Sequence, residues 1–105
     1  MDGSLRAITV GMLQTTILYL HDRIKVVPSG QLVGEWAECL PKAVPHAGSG
    51  GDPVEIDLDG ITCVDRAGEE ALLRLWEAHG HFYCTSPFAQ ALCNRLGIHV
   101  TGVGH

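Results

Sequence analysis

The spacing of hydrophobic positions first indicates an antiparallel hairpin. Residues 16–20 and 24–27 are rich in β-branched and aromatic side chains, and a polar turn separates them. Pro28 and Gly30 follow and are expected to end this ribbon, because proline has no N–H for a strand ladder. Residues 1–15 carry little strand signal, so we interpret them as an N-terminal extension or a weak strand.

The apolar period becomes helical from Val33 onward. One stripe at helical spacing is formed by Trp36, Cys39, Leu40 and Ala43. Pro41 lies within the same stretch and predicts a kink or an early end, since proline removes a helical hydrogen bond and clashes with the preceding turn. Residues 45–53 are rich in Gly and Pro, which indicates a loop.

A strand, a turn and a second extended run are expected after this loop. Residues 54–58 alternate apolar and acidic side chains, an Asp-Gly pair favours a turn, and residues 61–64 are again β-prone. Asp65 then stands where a helix N-cap is expected. The stripe of the following helix consists of Ala67, Ala71, Leu72, Leu75, Trp76 and His79. Gly80 is expected to end that helix.

A short strand and a third helix complete the pattern. Residues 81–84 are β-prone, Ser86 is a predicted N-cap, and Pro87 suits the first helical position. The predicted apolar stripe of this helix is Phe88, Ala91, Leu92, Arg95 and Leu96. Gly97 is expected to end the helix, and the tail to supply a short edge strand. The order predicts an α/β fold, with a mixed sheet of four to five strands and three main helices packed largely on one face.

The length and charge of the chain limit the classes of function that it can have. A chain of 105 residues has room for one core, so residues 16–105 are interpreted as a single domain. Its net charge is −5, and the seven Lys and Arg residues are scattered, whereas a nucleic-acid partner requires a basic patch. No apolar stretch approaches the roughly 20 residues of a membrane span, and no secretory signal pattern is present. We therefore expect a cytoplasmic protein without nucleic-acid binding or direct membrane insertion.

The cysteines, carboxylates and histidines are the residues with candidate chemistry. Cys39, Cys63, Cys84 and Cys93 each lie in an apolar segment, which favours buried free thiols over disulfides. A loose acidic group consists of Asp57, Asp59 and Asp65. Solvated carboxylates at strand ends are favoured there over a divalent-metal site. His79 and His81 straddle a predicted helix end, which favours surface histidines over a zinc site with Cys84.

No arrangement typical of an enzyme is present. The sequence contains neither a Gly-x-Ser-x-Gly elbow nor a phosphate-binding glycine loop that leads into a helix. Trp36 and Trp76 occupy core-facing helical positions, which favours packing over a binding platform. We therefore expect no catalytic residue, no cofactor and no metal.

Three segments carry a family resemblance in their order and spacing. They are residues 30–36 (GQLVGEW), residues 54–68 (VEIDLDGITCVDRAG) and residues 85–97 (TSPFAQALCNRLG). These resemble, in turn, the entry into the first helix, the central strand with its Asp-Ser-Ser-Gly-type loop, and the helix after the fourth strand of the STAS family. The prototype of that family of bacterial regulators is the anti-sigma factor antagonist. The resemblance covers residues 16–98.

The resemblance implies a regulatory loop with a changed residue. In the family, the second serine of the loop, or a threonine there, is phosphorylated by a partner kinase that is also an anti-sigma factor. Asp65 and Gly68 match the family's loop, whereas Arg66 and Ala67 stand at the two serine positions. Alanine has no hydroxyl, so the resemblance implies a member without the phosphoswitch.

The expected function is therefore a non-enzymatic bacterial protein–protein interaction module in the regulation of transcription. Its expected partner-binding residues are Asp65, Arg66, Ala67, Gly68 and Glu69. The expected partner is an anti-sigma factor or kinase-like protein, and a homodimer is left open. Two alternatives also stay open: a STAS subunit that regulates the ATPase of a lipid-transporting ABC complex, and a STAS domain that senses a small ligand or nucleotide.

Overall fold

A computed structural model describes residues 4–44, 53–79, 81–98 and 100–101. The strands are β1 (Ser4–Val10), β2 (Leu13–Tyr19), β3 (Ile24–Leu32), β4 (Val54–Asp57), β5 (Gly60–Val64), β6 (Phe82–Tyr83) and β7 (Val100–Thr101). The helices are α1 (Gly34–Ala43), α2 (Arg66–His79) and α3 (Pro87–Leu96). The predicted α/β class is confirmed.

These strands form one mixed sheet in the order β1-β2-β3-β4-β6-β7. The first two pairs are antiparallel, and β4, β6 and β7 run parallel to their neighbours. β4 pairs with residues 24–26 of β3, and β5 pairs with residues 29–32 of the same strand. Because β4 and β5 lie one after the other along one side of β3, the described sheet is six strands wide. The expected four to five strands were too few.

The N-terminal segment accounts for one of the additional strands. β1 pairs with β2 along its whole length, from Ser4 opposite Tyr19 to Val10 opposite Leu13. β2 begins at Leu13, so the boundary expected between residues 15 and 16 falls inside a strand. The signal in residues 1–15 was weak because an edge strand needs little continuous burial, and most described side chains of β1 are exposed.

The predicted hairpin is confirmed as β2 and β3, but both strands are longer than expected. β3 continues through Pro28, which lies opposite Thr15, and ends at Leu32. The expectation that residues 28–30 end the ribbon is therefore wrong. Pro28 lies between the part of β3 that pairs with β4 and the part that pairs with β5. An interrupted ladder accommodates a residue that lacks an N–H.

One face of the sheet carries the core. Ile17, Val26, Ile56 and Phe82 lie side by side on neighbouring strands, and each is 0% exposed. They share a hydrophobic cluster with buried residues of all three helices. The opposite face is polar where it crosses β3, β4 and β6: Lys25 forms an ion pair with Asp57 at 3.6 Å and lies over the ring of Tyr83.

The three helices occur where the sequence predicts them. Pro41 lies inside α1, and the helix ends at Ala43, two residues later. α3 begins as expected, since the N–H of Ala89 donates to Oγ of Ser86 at 3.2 Å, and it ends at Gly97 in the left-handed conformation. Gly80, the predicted end of α2, lies outside the described residues.

The predicted buried face of α3 is confirmed for Leu92 and Leu96 and wrong for the other three residues. The buried residues are Ala89, Leu92 and Cys93, whereas Phe88 is 44% exposed and Ala91 and Arg95 are exposed. Two overlapping apolar stripes run along this helix, and the one selected from the sequence contained the larger side chain. The buried stripe shares Leu92 with the predicted one and adds Ala89 and Cys93.

Candidate functional site

α1 and α2 begin next to each other at one edge of the sheet. β3 ends at Leu32 and β5 at Val64, and these two residues are paired in the parallel register. A single residue, Val33, connects β3 to α1, which begins at Gly34. A single residue, Asp65, likewise connects β5 to α2, which begins at Arg66. The carboxyl ends of parallel strands are where α/β proteins most often build binding sites. The predicted loop residues 65–69 lie at this edge.

Asp65 holds the N-termini of both helices. Its Oδ1 accepts a hydrogen bond from the N–H of Gly68 at 2.9 Å, which confirms the predicted N-cap of α2. Its Oδ2 accepts a second hydrogen bond, from the N–H of Gly34 at 3.0 Å. The N-cap position of α1 is occupied by Val33, whose side chain makes no capping hydrogen bond. The carboxylate of Asp65 therefore supplies the capping oxygen that α1 lacks.

The contact with Gly34 was not predicted from the sequence. Its only local signal is the valine at the N-cap position of α1, which leaves the first N–H groups of that helix in need of an acceptor. No spacing rule links residues that lie so far apart in the chain. The register of β3 and β5 brings them together.

Gly68 allows α2 to approach the end of β3 closely. A Cβ atom at this position would lie 2.1 Å from the carbonyl oxygen of Leu32 and 2.9 Å from Cγ1 of Val64. Side chains do not approach a backbone oxygen so closely, so glycine is required by the packing of the helix against the strand. Gly68 is buried and serves the fold at this edge.

Arg66 is the prominent side chain of the loop. It is 92% exposed, and its Nε lies 3.7 Å from Oε2 of Glu70, one helical turn later. An ion pair of this length and exposure contributes little to stability. Ala67 is partly buried and packs against the core. Glu69 is engaged by Arg95 of α3, whose Nη2 lies 2.6 Å from Oε2 of Glu69.

A second carboxylate, Asp59, fixes the chain ahead of α3. Its Oδ1 accepts from the N–H groups of Thr85 at 2.7 Å and Ser86 at 2.9 Å, and its Oδ2 accepts from the hydroxyl of Thr85 at 2.6 Å. Desolvation is the largest influence on the pKa of Asp59 and acts to raise it. The hydrogen bonds from Thr85 and Ser86 outweigh it, and the pKa lies below the usual value of 3.8.

The three aspartates that the sequence suggested as a loose group each have their own structural partners. Asp57 accepts a hydrogen bond from the N–H of Asp59 at 3.0 Å and forms the ion pair with Lys25, whereas Asp59 and Asp65 hold helix N-termini. Across the described ranges, no three His, Cys, Asp or Glu side chains form a group that could hold a metal ion.

The structure also shows how exposed the cysteines and His81 are, which bears on the zinc alternative. His81 is exposed and Cys84 is fully buried, while the side chain of His79 lies outside the described part of the chain. All four cysteines are free thiols. The expected burial is confirmed for Cys84 and Cys93, but Cys39 is only partly buried and Cys63 is exposed.

None of the described helices is both long and apolar enough to span a membrane. No protein-family model matches the chain, and no curated protein matches it. The chemistry of the site is therefore inferred from its own residues: a carboxylate, Asp65, that binds two backbone N–H groups, and the exposed guanidinium of the next residue, Arg66.

Proposed function

We propose that this chain is a non-enzymatic, STAS-like regulatory module that binds a protein partner through the start of α2. The proposed binding segment is Asp65, Arg66, Ala67, Gly68 and Glu69: exposed Arg66 makes the contact, and buried Gly68 positions the start of α2. The proposed setting is a bacterial transcription circuit in which the partner is an anti-sigma factor or a kinase-like protein. Phosphate plays no part at Ala67, which has no hydroxyl.

The order of the elements supports this proposal. A ribbon of β2 and β3 leads into α1, and parallel strands then alternate with α2 and α3. The resemblance in the sequence implies the same order, with the Asp-x-x-Gly loop between the central strand and its helix. In this chain that loop lies between β5 and α2, at the edge where α1 also begins.

The observation that carries the proposal is the contrast between Arg66 and its neighbours. Asp65 and Gly68 are committed to the fold by their contacts with Gly34 and Leu32. Arg66 is 92% exposed beside them, on a backbone that those contacts hold in place. A planar guanidinium with several donors in a fixed position suits a carboxylate on a partner. Interface residues of this type often dominate binding energy.

Arg66→Glu tests this proposal. The charge reversal is expected to abolish or strongly weaken the recovery of the cognate partner in a pull-down with the full chain. Folding is expected to be unaffected, because a carboxylate in the first turn of α2 interacts favourably with the helix dipole. Circular dichroism and the thermal midpoint check that point. Recovery of the partner at the wild-type level would remove Arg66 from the interface.

Arg6→Glu is the matched control. Arg6 is exposed on β1, near the opposite end of the sheet, and its replacement makes the same charge change. Partner recovery should survive this substitution. Mass spectrometry of the recovered protein tests the setting: a histidine-kinase-like protein supports a transcription circuit. Recovery of a transporter ATPase that depends on Arg66 would overturn that setting in favour of a lipid-transport complex.

A further inference from the structure

The turn between β1 and β2 lies at the same edge of the sheet as the starts of α1 and α2. The backbone oxygen of Met12, in this turn, accepts a hydrogen bond from the N–H of Gln31 at 3.0 Å. Gln31 is in turn paired with Cys63 of β5, shortly before Arg66 in the chain. Met12 and Arg66 are therefore separated by two strand spacings, which is about 10 Å in the direction across the strands.

Two glycines fix the position of this turn. Only Gly11 and Met12 connect the two strands, and Gly11 has a φ of 59°, as in the type II′ turn of two-residue hairpin loops. A Cβ atom at Gly11 would lie 2.0 Å from Cε2 of Trp36, so the turn packs against α1. A Cβ atom at Gly30 would lie 2.1 Å from the backbone oxygen of Met12. The backbone of Met12 is therefore held against both β3 and α1.

The side chain of Met12 is presented to solvent on this fixed backbone. It is 62% exposed, and the hydrogen bond to Gln31 uses a backbone oxygen that any residue would supply. Short turns favour small or polar residues, which expose little apolar surface. Methionine and arginine, in contrast, are both enriched where proteins bind each other. A flexible methionine also adapts to the shape of an apolar site.

We propose that Met12 is a second partner-binding residue, which contacts an apolar site on the protein that Arg66 binds. This inference rests on the proposed function, because it places Arg66 in the interface. The partner then carries a carboxylate for Arg66 and, on the order of 10 Å away, an apolar group for Met12. Both contacts fit within one interface of ordinary size, which buries about 800 Å² of each protein.

Leu5 is the matched control for Met12. It is 65% exposed, about as much as Met12, and it lies on β1 opposite Leu18. Leu18 is paired with Lys25, the second residue of β3, whereas Gln31 beside Met12 is the last but one. At about 3.3 Å per residue, Leu5 therefore lies roughly 20 Å from the proposed binding edge.

The test uses the full chain and the purified partner that wild type recovers and Arg66→Glu does not. Met12→Ser should raise the dissociation constant about tenfold, because the interface loses a large apolar side chain while the turn keeps its backbone hydrogen bond. Met12→Leu should restore most of the affinity, and Leu5→Ser should bind like wild type. Equal thermal midpoints check that all three variants fold.

Salt distinguishes the apolar contact from the charged one. The Debye length falls to about 3 Å in 1 M salt, so the loss of affinity caused by Arg66→Ala should shrink as salt is raised. The loss caused by Met12→Ser should persist, because salt does not screen an apolar contact.

The possible results separate this inference from the proposed function. Wild-type affinity of Met12→Ser, with binding still lost in Arg66→Glu, would refute the role of Met12 and leave the proposed function intact. Equal losses for Met12→Ser and Leu5→Ser would refute it as well, because the effect would then not belong to the binding edge. If wild type recovers no protein through Arg66, the proposed function fails and this inference fails with it.

Discussion

The carboxylate of Asp65, at the start of α2, binds the backbone N–H of Gly34, the first residue of α1, at 3.0 Å. Gly34 has a φ of 54°, in the left-handed region that side chains with a Cβ rarely adopt. Val33 before it is extended and provides no cap. One side chain therefore fixes the relative position of two helices at the proposed binding edge, without any contribution from a phosphate.

Asp65→Ala should destabilise the protein by about 2 kcal/mol. It removes the capping oxygen of two helices, and each lost cap typically costs about 1 kcal/mol. Urea unfolding at neutral pH measures this change in the free energy of unfolding. Asp65→Asn keeps one acceptor oxygen and should lose less.

Asp22→Ala is the comparison for this prediction. Asp22 is an exposed partner of Arg23 in a surface ion pair at 3.6 Å, and its loss should cost less than about 0.5 kcal/mol. Equal costs for Asp22→Ala and Asp65→Ala would show that Asp65 does not stabilise the two helix N-termini.

Gly68→Ala should also destabilise the protein, although alanine is the better helix former. Helix propensity alone would favour alanine by about 1 kcal/mol. The added Cβ would lie 2.1 Å from the carbonyl oxygen of Leu32, so α2 must shift away from β3. Overpacking of this kind typically costs roughly 1–3 kcal/mol. A shift of α2 also moves the N–H of Gly68 away from the carboxylate of Asp65, which weakens the cap as well.

Gly34→Asn separates this steric effect from backbone strain. No atom lies within 4 Å of a Cβ at Gly34, and asparagine tolerates the left-handed conformation better than other side chains. Gly34→Asn should therefore lower the free energy of unfolding less than Gly68→Ala does in the same urea titration. A Gly68→Ala variant as stable as wild type would contradict the close approach of α2 to β3.

Local signals in the sequence predicted the parts of the fold that depend on neighbouring residues. Asp65 and Ser86 were identified as N-caps from their position before an apolar stripe, and both make the capping hydrogen bond. The helical periods and the end of α3 at Gly97 were predicted from equally local signals. The Asp-x-x-Gly loop was found for the same reason.

What the sequence did not reveal depends on pairing between distant segments. The bond from Gly34 to Asp65 exists because β3 and β5 lie in register. The bonds from Thr85 and Ser86 to Asp59 exist because β4 and β6 lie in register. β1 was underestimated because an exposed edge strand carries no strong alternation. The buried face of α3 was predicted only in part because two apolar stripes overlap on that helix and only tertiary packing chooses between them.

Asp59 should make stability depend on pH in acid. Its pKa in the folded protein lies below 3.8, so its ionised form is favoured by folding. The stabilisation is present above pH 3.8 and is lost as the pH falls through the folded pKa. In urea titrations at a series of pH values, Asp59→Asn should be less stable than wild type at neutral pH, and the gap should narrow in acid.

Thr85→Val provides the control for Asp59. It removes the hydroxyl that donates to Oδ2 and leaves the backbone donors of Thr85 and Ser86 in place. The pKa of Asp59, followed by carboxyl NMR, should therefore rise in this variant. An unchanged pKa would show that the hydroxyl does not contribute.

Glu69 and Arg95 should couple α2 to α3 more strongly than Arg66 couples to Glu70. The first pair is at 2.6 Å with Glu69 only 25% exposed, whereas the second is at 3.7 Å with Arg66 92% exposed. Double-mutant cycles with Gln substitutions should give roughly 0.5–1 kcal/mol for Glu69 with Arg95 and close to zero for the other pair. Molar salt should reduce the larger coupling. Equal couplings would mean that Glu70 holds Arg66 as firmly as Arg95 holds Glu69. Arg66 would then not be the residue presented to a partner.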